Sequence, residues 1–329
     1  MRICIVGAGA IGGLVGARLA AAGETVSVLA RGANLEAISA RGLTVVEPDG
    51  TQLRAPVAAA SADTGSLGPQ DVIVLALKAH QLAGIARHLE ALYDPDTVVV
   101  PMQNGVPWWF FQRFPGQYEG LRLQTLDPDG VLESCIPAQR IVASIAYPAA
   151  ERLEPGVIKL IEGDRFPLGE LDGERTDRVN AIAAAFSAAG FKSRVLTDVR
   201  SHLWIKAWGN LAFNPISALT RATLAEICAD PATRSLAATV MQEAADIADK
   251  LGLRLRLSIE QRIAGAAEVG EHKTSMLQDV EAGRELEVDP LIGSFVELGR
   301  VTDTPMPATE MLHALVSQLN ATIAKGTVT

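Results

Sequence analysis

The sequence has few cysteines, and its histidines are not grouped. Cys4, Cys135 and Cys228 lie far apart in apolar surroundings. That distribution is typical of reduced thiols packed as small hydrophobic residues and argues against a disulfide framework. The five histidines form no H-E-x-x-H pattern, and the cysteines form no C-x-x-C pair. The sequence therefore gives no reason to expect a metal site.

A surplus of basic residues and a long hydrophobic run are also lacking. The chain carries 38 acidic against 29 basic residues, a net charge of −9, whereas proteins that bind nucleic-acid backbones concentrate Lys and Arg. No apolar run approaches the ~20 residues of a membrane span, and the apolar start of the chain is too short for a signal peptide. We expect a cytoplasmic protein that binds neither nucleic acid nor membranes.

Short apolar runs alternate with helical patterns over the first half of the 329 residues. This alternation predicts βαβ units, in which a parallel sheet carries helices on both faces. Within this half, the turn sequence Pro48-Asp49-Gly50 separates two strand-like pieces, Leu43–Glu47 and Gln52–Val57. The sequence therefore predicts an N-terminal α/β Rossmann domain over residues 1–197.

Beyond residue 198 or so the pattern changes, because apolar residues recur every three or four positions and strand-like alternation disappears. The sequence predicts an all-α C-terminal domain over residues 198–329. Its expected helices cover residues 200–219, 232–251, 258–270, 273–284, 289–302 and 306–324.

A glycine motif opens the first βαβ unit. Gly7-Ala8-Gly9-Ala10-Ile11-Gly12 is a G-x-G-x-x-G sequence between an apolar run and a helical pattern. In such a unit the first glycine permits a tight turn, the second admits a pyrophosphate to the backbone, and the third lets helix and strand pack closely. A second strand over Thr25–Ala30 supplies the context that separates this motif from an ordinary glycine-rich turn. We predict that all six residues bind a dinucleotide.

The residue after that second strand indicates which dinucleotide is bound. NAD-dependent enzymes usually place an acidic residue there for the adenosine ribose, but this chain has Arg31. A guanidinium pairs well with a 2′-phosphate, which favours NADP(H); the alternative is a solvated charge at a strand end. Lys78 and Asn104 follow two later strands and are expected at the same sheet edge, although each could be an ordinary turn residue.

One lysine lies in an otherwise apolar helical segment. Lys206 is the single charge in Leu203–Leu219, and Asn210 and Asn214 follow at intervals of four, on one stripe of a helix. A buried polar stripe needs partners, and a ligand can supply them. An ammonium group beside a ketone stabilises the charge that develops during reduction and donates a proton. Lys206 is the candidate general acid. The alternative is that its aliphatic chain lies along the helix surface and places the ammonium in water.

A polar stretch follows further on, with Ser275 at the start of one predicted helix and Glu287 just before another. Alone, it is typical of a solvated junction between two capped helices.

These features together resemble the ketopantoate reductase family (2-dehydropantoate 2-reductase), from residue 1 to about residue 323. The matching motifs are Gly7–Gly12 with Arg31, Leu77-Lys78-x-x-Gln81, Gln103-Asn104-Gly105, Trp204-x-Lys206 with Asn210 and Asn214, and Ser275-Met276-Leu277-Gln278-Asp279 with Glu287.

The resemblance implies a role for each matched residue. Lys206 would be the general acid, and Glu287 would hold the substrate and help to orient the reacting group. Ser275 would bind the substrate carboxylate. The remaining matches divide between the substrate site (Asn210 and Asn214) and the cofactor cleft (Arg31, Lys78, Gln81 and Asn104).

The expected activity is NADPH-dependent reduction of a small 2-oxo acid to the 2-hydroxy acid, most simply 2-dehydropantoate to pantoate in pantothenate biosynthesis. Two alternatives stay open: a reductase of a different 2-oxo acid, and a protein that senses NADP without turnover. The sequence does not indicate the oligomeric state, although apolar helices in the second domain would permit a homodimer.

The chain departs from the family on the expected substrate side. An aromatic insertion begins at Pro107–Phe114, and it could either pack into the core or cap the cleft. Leu224 and His272 stand where some members carry asparagines, and Ile292-Gly293 replaces an expected Asn-Gly. These departures leave the cofactor prediction intact and the identity of the 2-oxo acid open.

Overall fold

Apolar runs of the first half form one parallel sheet in the computed structural model, which describes residues 1–326. Its five strands lie in the order β5-β2-β1-β6-β7. Four of these strands, β1, β2, β6 and β7, are almost wholly buried, which explains their continuous apolar sequences. The elements of this part are β1 (Arg2–Val6), α1 (Ala10–Ala21), β2 (Thr25–Leu29), α2 (Gly32–Arg41), β3 (Leu43–Val46), β4 (Gln52–Ala55), β5 (Ala59–Ser61), β6 (Val72–Leu75), α3 (Ala79–Ala86) and β7 (Val98–Pro101).

The predicted hairpin around Pro48-Asp49-Gly50 is present and belongs to a second sheet. β3 and β4 pair antiparallel, from Leu43 opposite Ala55 to Val46 opposite Gln52. The order of this sheet is β4-β3-β10-β9, and β11 and β8 form a separate pair. The later elements are α4 (Val131–Cys135), β8 (Val142–Ser144), β9 (Ala149–Glu154), β10 (Val157–Glu162), β11 (Leu168–Glu170) and α5 (Asp177–Ala188).

The apolar residues within Ser193–Leu196 predict a further strand, but the structure has only isolated bridges in this region. Lys192 pairs with Arg165, and Val195 pairs with Leu168, without a continuous ladder between them. The segment therefore runs beside residues 165–168 as an irregular edge.

The second half is helical, as the periodicity predicts. Its helices are α6 (Val199–Thr220), α7 (Leu224–Ala229), α8 (Pro231–Lys250), α9 (Ile259–Glu268), α10 (Ser275–Glu281), α11 (Ser294–Val301) and α12 (Pro307–Ala324). The sequence analysis missed α7, a short helix that begins with a capping box between Thr223 and Glu226. The helix expected over 289–302 is α11 preceded by a π-helical turn, Asp289–Gly293.

Two compact units divide the chain, and each takes pieces from more than one part of the sequence. The first unit contains Met1–Gln103, Phe111–Leu121 and Asp129–Val199, and the second contains Asn104–Phe110, Arg122–Pro128 and the chain from Arg200 onward. No helix among residues 1–326 is long and apolar enough to cross a membrane.

The aromatic insertion is buried. Trp109 and Phe110 are 1 % and 0 % exposed. In the second unit, the ring of Phe110 lies 5.8 Å from that of Trp204 on α6, and its carbonyl accepts a hydrogen bond from Arg200. In the first unit, Phe111 packs against Phe114 with ring centroids 5.1 Å apart. The side chains therefore fill cores, which is the packing alternative named above.

Candidate active site

The strand ends of the first unit bring the nucleotide motif to one edge of the sheet. Val6 of β1 lies opposite Leu29 of β2 and Leu75 of β6. The segments after these three strands therefore leave the sheet at the same level, which is where ligands bind in parallel α/β sheets.

The glycines at this edge allow close packing that a side chain would block. Gly7 has a φ of +97°, which strongly favours glycine. A Cβ at Gly12 would lie 2.1 Å from the carbonyl oxygen of Gly7 and 2.8 Å from the Cβ of Ala76. Gly12 thus lets α1 pack directly on the turn that precedes it.

Gly9 differs, because a Cβ there would meet nothing within 4 Å. Gly9 is the N-cap of α1; no side chain caps the helix, and its first turn has no acidic residue. Backbone N–H groups in that position bind anions through hydrogen bonds and the helix dipole. The turn therefore fits a pyrophosphate.

Arg31 follows β2 and is the N-cap of α2. Its side chain is exposed, and its guanidinium has no hydrogen-bond partner among residues 1–326. It can therefore bind an anion without first breaking an ion pair.

The sequence did not indicate a role for the nearby Asn34. Its side-chain amide donates a hydrogen bond to the carbonyl of Ala8 at 2.9 Å, and its side-chain oxygen accepts one from the N–H of Gly156 at 2.8 Å. Asn34 thereby ties α2 to the glycine turn.

Lys78 and Gln81 lie at the start of α3, after β6. The side-chain oxygen of Gln81 accepts a hydrogen bond of 3.3 Å from the backbone N–H of Lys78, which caps the helix. Gln103 holds the same loop, since its amide donates to the carbonyls of Leu75 and Leu77 at 2.8 and 3.0 Å. The loops after β6 and β7 are thus joined at the edge where the glycine turn lies.

In the second unit, Lys206 projects from α6 onto Asn104. Its ammonium donates a 2.8 Å hydrogen bond to Asn104 Oδ1. Burial lowers the pKa of Lys206 from 10.5 to about 8, although the negative charge of Glu287 acts in the opposite direction. The group is therefore still protonated near neutral pH and can release its proton readily.

The loop that carries Asn104 packs on the turn that follows Glu287. Gly105 has a φ of +78°, and a Cβ there would lie 2.0 Å from the carbonyl oxygen of Pro290. The same oxygen accepts a 3.1 Å hydrogen bond from the N–H of Val106. The structure thus brings Asn104, Lys206 and Glu287 together, although the sequence analysis had grouped Asn104 with the cofactor cleft.

Asn210 and Asn214 continue the Lys206 stripe along α6. Asn214 is only 5 % exposed, and Asn210 is half-buried. Neither side-chain amide has a hydrogen-bond partner among residues 1–326. Because buried amides normally have partners, this pair is suited to binding a polar ligand.

Ser275 lies on another helix, α10, and no hydrogen bond within residues 1–326 links it to Asn210 or Asn214. It is exposed at the first position of α10, after the N-cap Thr274, whose hydroxyl accepts from the N–H of Leu277. No hydrogen bond of the described residues joins Ser275 to the Lys206 group. Among residues 1–326 no cluster of His, Cys, Asp and Glu side chains could hold a metal ion.

Comparison with known proteins covers nearly the whole chain. Family models for the N- and C-terminal parts of ketopantoate reductase match residues 3–173 and 198–320. A 2-dehydropantoate 2-reductase from Mesorhizobium japonicum is 51 % identical over 97 % of this chain and 98 % of its own.

Two solved structures share the fold. One is a protein from Ralstonia solanacearum MolK2 that is provisionally named a ketopantoate reductase; it has a TM-score of 0.93 and 41 % identity, with 98 % of both chains covered. The other is a D-mandelate dehydrogenase in complex with NADH and anilino(oxo)acetate, with a TM-score of 0.83, 22 % identity, and 98 % of this chain and 99 % of that chain covered. At this low identity, the second shows the fold alone.

Proposed function

Because this chain belongs to the ketopantoate reductase family, we propose that it reduces a 2-oxo acid to the 2-hydroxy acid with NADPH, and that the substrate is 2-dehydropantoate. The observation that carries the proposal is the environment of the Lys206 ammonium. Its pKa is lowered, it donates a hydrogen bond to Asn104, and the negative charge of Glu287 acts on it. The name of the Mesorhizobium relative supports the choice of substrate.

Residues 1–197 form the cofactor domain in this proposal. The backbone of Gly7–Gly12 holds the pyrophosphate, and the exposed guanidinium of Arg31 binds the 2′-phosphate that distinguishes NADPH from NADH. Lys78 and Gln81, at the start of α3, complete the cofactor site in the same unit. When it is bound, the nicotinamide supplies the hydride that reduces the carbonyl carbon of the substrate.

Residues 198–329 supply the acid. The Asn104 oxygen accepts a hydrogen bond from the Lys206 ammonium and so holds the group in place to meet the substrate ketone. As negative charge develops on the ketone oxygen, Lys206 stabilises it and donates a proton. The neutral amine then regains a proton from water. Glu287 keeps the ammonium form populated, since its charge raises the pKa that burial lowers.

The substrate is held by the polar groups of the same domain. Asn210 and Asn214 offer amides that have no hydrogen-bond partner within residues 1–326, and they extend the Lys206 stripe by two helical turns. The exposed hydroxyl of Ser275 would bind the carboxylate, and Glu287 would accept a hydrogen bond from a substrate hydroxyl.

Steady-state NADPH oxidation against a panel of 2-oxo acids tests the proposal. We expect 2-dehydropantoate to give the highest kcat/KM, with NADH far less effective, and Arg31→Ala to lose most of the preference for NADPH. The proposal is wrong if NADPH binds tightly and no 2-oxo acid is reduced, as a sensing protein would behave.

A reductase of a different 2-oxo acid is the second candidate, and one observation favours it. The resemblance implies that some family members carry asparagines where this chain has Leu224 and His272, and the structure joins these two residues through a 3.0 Å hydrogen bond from the N–H of Leu224 to the carbonyl of His272. The same panel separates the two candidates, because another acid would then exceed 2-dehydropantoate in kcat/KM.

A further inference from the structure

An arginine lies directly against the helix that carries Lys206. A Cβ at Gly209 of α6 would lie 2.0 Å from Nη2 and 2.6 Å from Cζ of Arg262, which belongs to α9. The guanidinium therefore packs on the backbone of α6 at Gly209, where the absence of a side chain leaves room for it. Any other residue at 209 would displace the arginine.

Gly209 adjoins the proposed reaction site. It is three residues after Lys206, about 60° around the helix, and it directly precedes Asn210. The Arg262 guanidinium consequently lies beside the Lys206 stripe, within one turn of the general acid. No charged residue besides Lys206 occurs in Leu203–Leu219, so this arginine brings a second positive charge to an apolar stretch of helix.

Two departures implied by the family resemblance lie at the same corner. Leu224 and His272, for which the resemblance implies asparagines in some members, meet through a backbone hydrogen bond, and α7 packs against α9. One turn after Leu224, the Cys228 thiol donates to the carbonyl of Ile263 at 3.6 Å, and the positive charge of Arg262 acts on it. Arg262 thus lies near the part of α7 that follows Leu224.

We propose that Arg262 binds the carboxylate of the 2-oxo acid together with the Ser275 hydroxyl and so selects acids over neutral ketones. A guanidinium presents parallel N–H donors that match a carboxylate, and such a pair is stronger than the neutral hydrogen bonds that two asparagines offer. The space left by the absent side chain of Gly209 determines how close the Arg262 guanidinium lies to Lys206. This inference rests on the proposed function, and Arg262 becomes a residue of that site which the sequence analysis did not identify.

The test compares Arg262→Gln with Arg256→Gln, a matched loss of charge at an exposed residue six positions earlier. Each enzyme is assayed with the best 2-oxo acid of the panel and with its primary amide. Arg262→Gln is expected to raise the KM for the acid about 10- to 100-fold, the range for a charge-assisted hydrogen bond, with a smaller change in kcat. The preference for acid over amide should largely disappear, whereas Arg256→Gln should behave as wild type. An unchanged acid preference in Arg262→Gln overturns the proposal.

Gly209→Ala gives an independent measurement. The added Cβ pushes the guanidinium away, so the KM for the acid should rise in the wild-type background and change little in Arg262→Gln. Melting temperature and NADPH affinity are recorded for each variant, so that a folding defect is recognised. An equal effect of Gly209→Ala in both backgrounds shows that the glycine acts on packing only and contradicts the carboxylate role.

Failure of the proposed function is distinguishable. If the wild type reduces no 2-oxo acid, binding of oxamate, an unreactive analogue, to the NADPH complex is measured by calorimetry. Weaker binding to Arg262→Gln than to Arg256→Gln then supports the carboxylate role, and equal binding refutes it.

Discussion

At the scale of single residues, the proposed proton transfer depends on whether Lys206 is protonated. Burial lowers its pKa to about 8, and reduction requires the protonated form because the ammonium donates the proton. We therefore expect kcat/KM for reduction to be constant below that pH and to fall about tenfold per pH unit above it, since kcat/KM reports the ionisation of the free enzyme. A profile measured from pH 6 to pH 10 checks this, and a flat profile over that range would show that no group of this pKa supplies the proton.

Asn104 offers a second test of the same group. Asn104→Asp replaces the neutral oxygen that accepts the 2.8 Å hydrogen bond with a negative one. A carboxylate at this distance favours the ammonium, so the falling limb of the pH profile should move to higher pH. Asn104→Ala removes the oxygen and should lower kcat without that upward shift. If both variants keep the wild-type limb, Asn104 does not control Lys206.

The residues of this site differ in how far the sequence could reveal them. Lys206 is conspicuous because it is the one charge in an apolar helix, and the asparagine stripe follows from helical spacing. The bond from Lys206 to Asn104 spans 102 positions and depends on tertiary packing, so no local pattern could show it. Arg262 gives no signal in the sequence, because its importance rests on a contact with Gly209 in another helix.

At the scale of elements, the second and third glycines of the glycine turn have separable purposes. Gly12→Ala would force a Cβ to 2.1 Å from a backbone oxygen, whereas Gly9→Ala would place one in open space. Gly12→Ala should therefore lower the melting temperature of the protein without cofactor. Gly9→Ala should leave that temperature unchanged and weaken NADPH binding, because the methyl group occupies the space that the pyrophosphate needs.

The two measurements are thermal unfolding without cofactor and NADPH titration by fluorescence. Wild-type NADPH affinity in Gly9→Ala would mean that the dinucleotide does not approach this turn.

Elements with strong periodic patterns were predicted well, and short or polar ones were not. The buried strands of the parallel sheet follow from continuous apolar runs. The sequence analysis missed α2, which buries only Ile38, and β5, which has three half-buried residues. Such elements bury too few apolar residues for a helical or strand periodicity to appear in the sequence. Contacts with neighbouring segments determine their conformation instead.

At the scale of the whole molecule, the fold agrees with the prediction of an α/β part followed by a helical part. The composition of the two units could not be anticipated, because residues 104–110 and 122–128 belong with the helices although they lie in the first half of the chain. This exchange matters chemically, since it places Asn104 in the same unit as Lys206. The family match settles the fold and leaves the exact 2-oxo acid to experiment.

Replacing Lys206 tests whether this residue is the general acid. For Lys206→Met, assayed at pH 7 with saturating NADPH and 2-dehydropantoate, we expect kcat to fall about a thousandfold, within the range usual for losing a general acid. NADPH affinity should be unchanged. Because the folded-state pKa of about 8 lies below the ordinary value of 10.5, the charge costs stability at pH 7, and the variant should melt at a higher temperature than wild type. Turnover near the wild-type rate in a folded variant that binds NADPH would contradict the account.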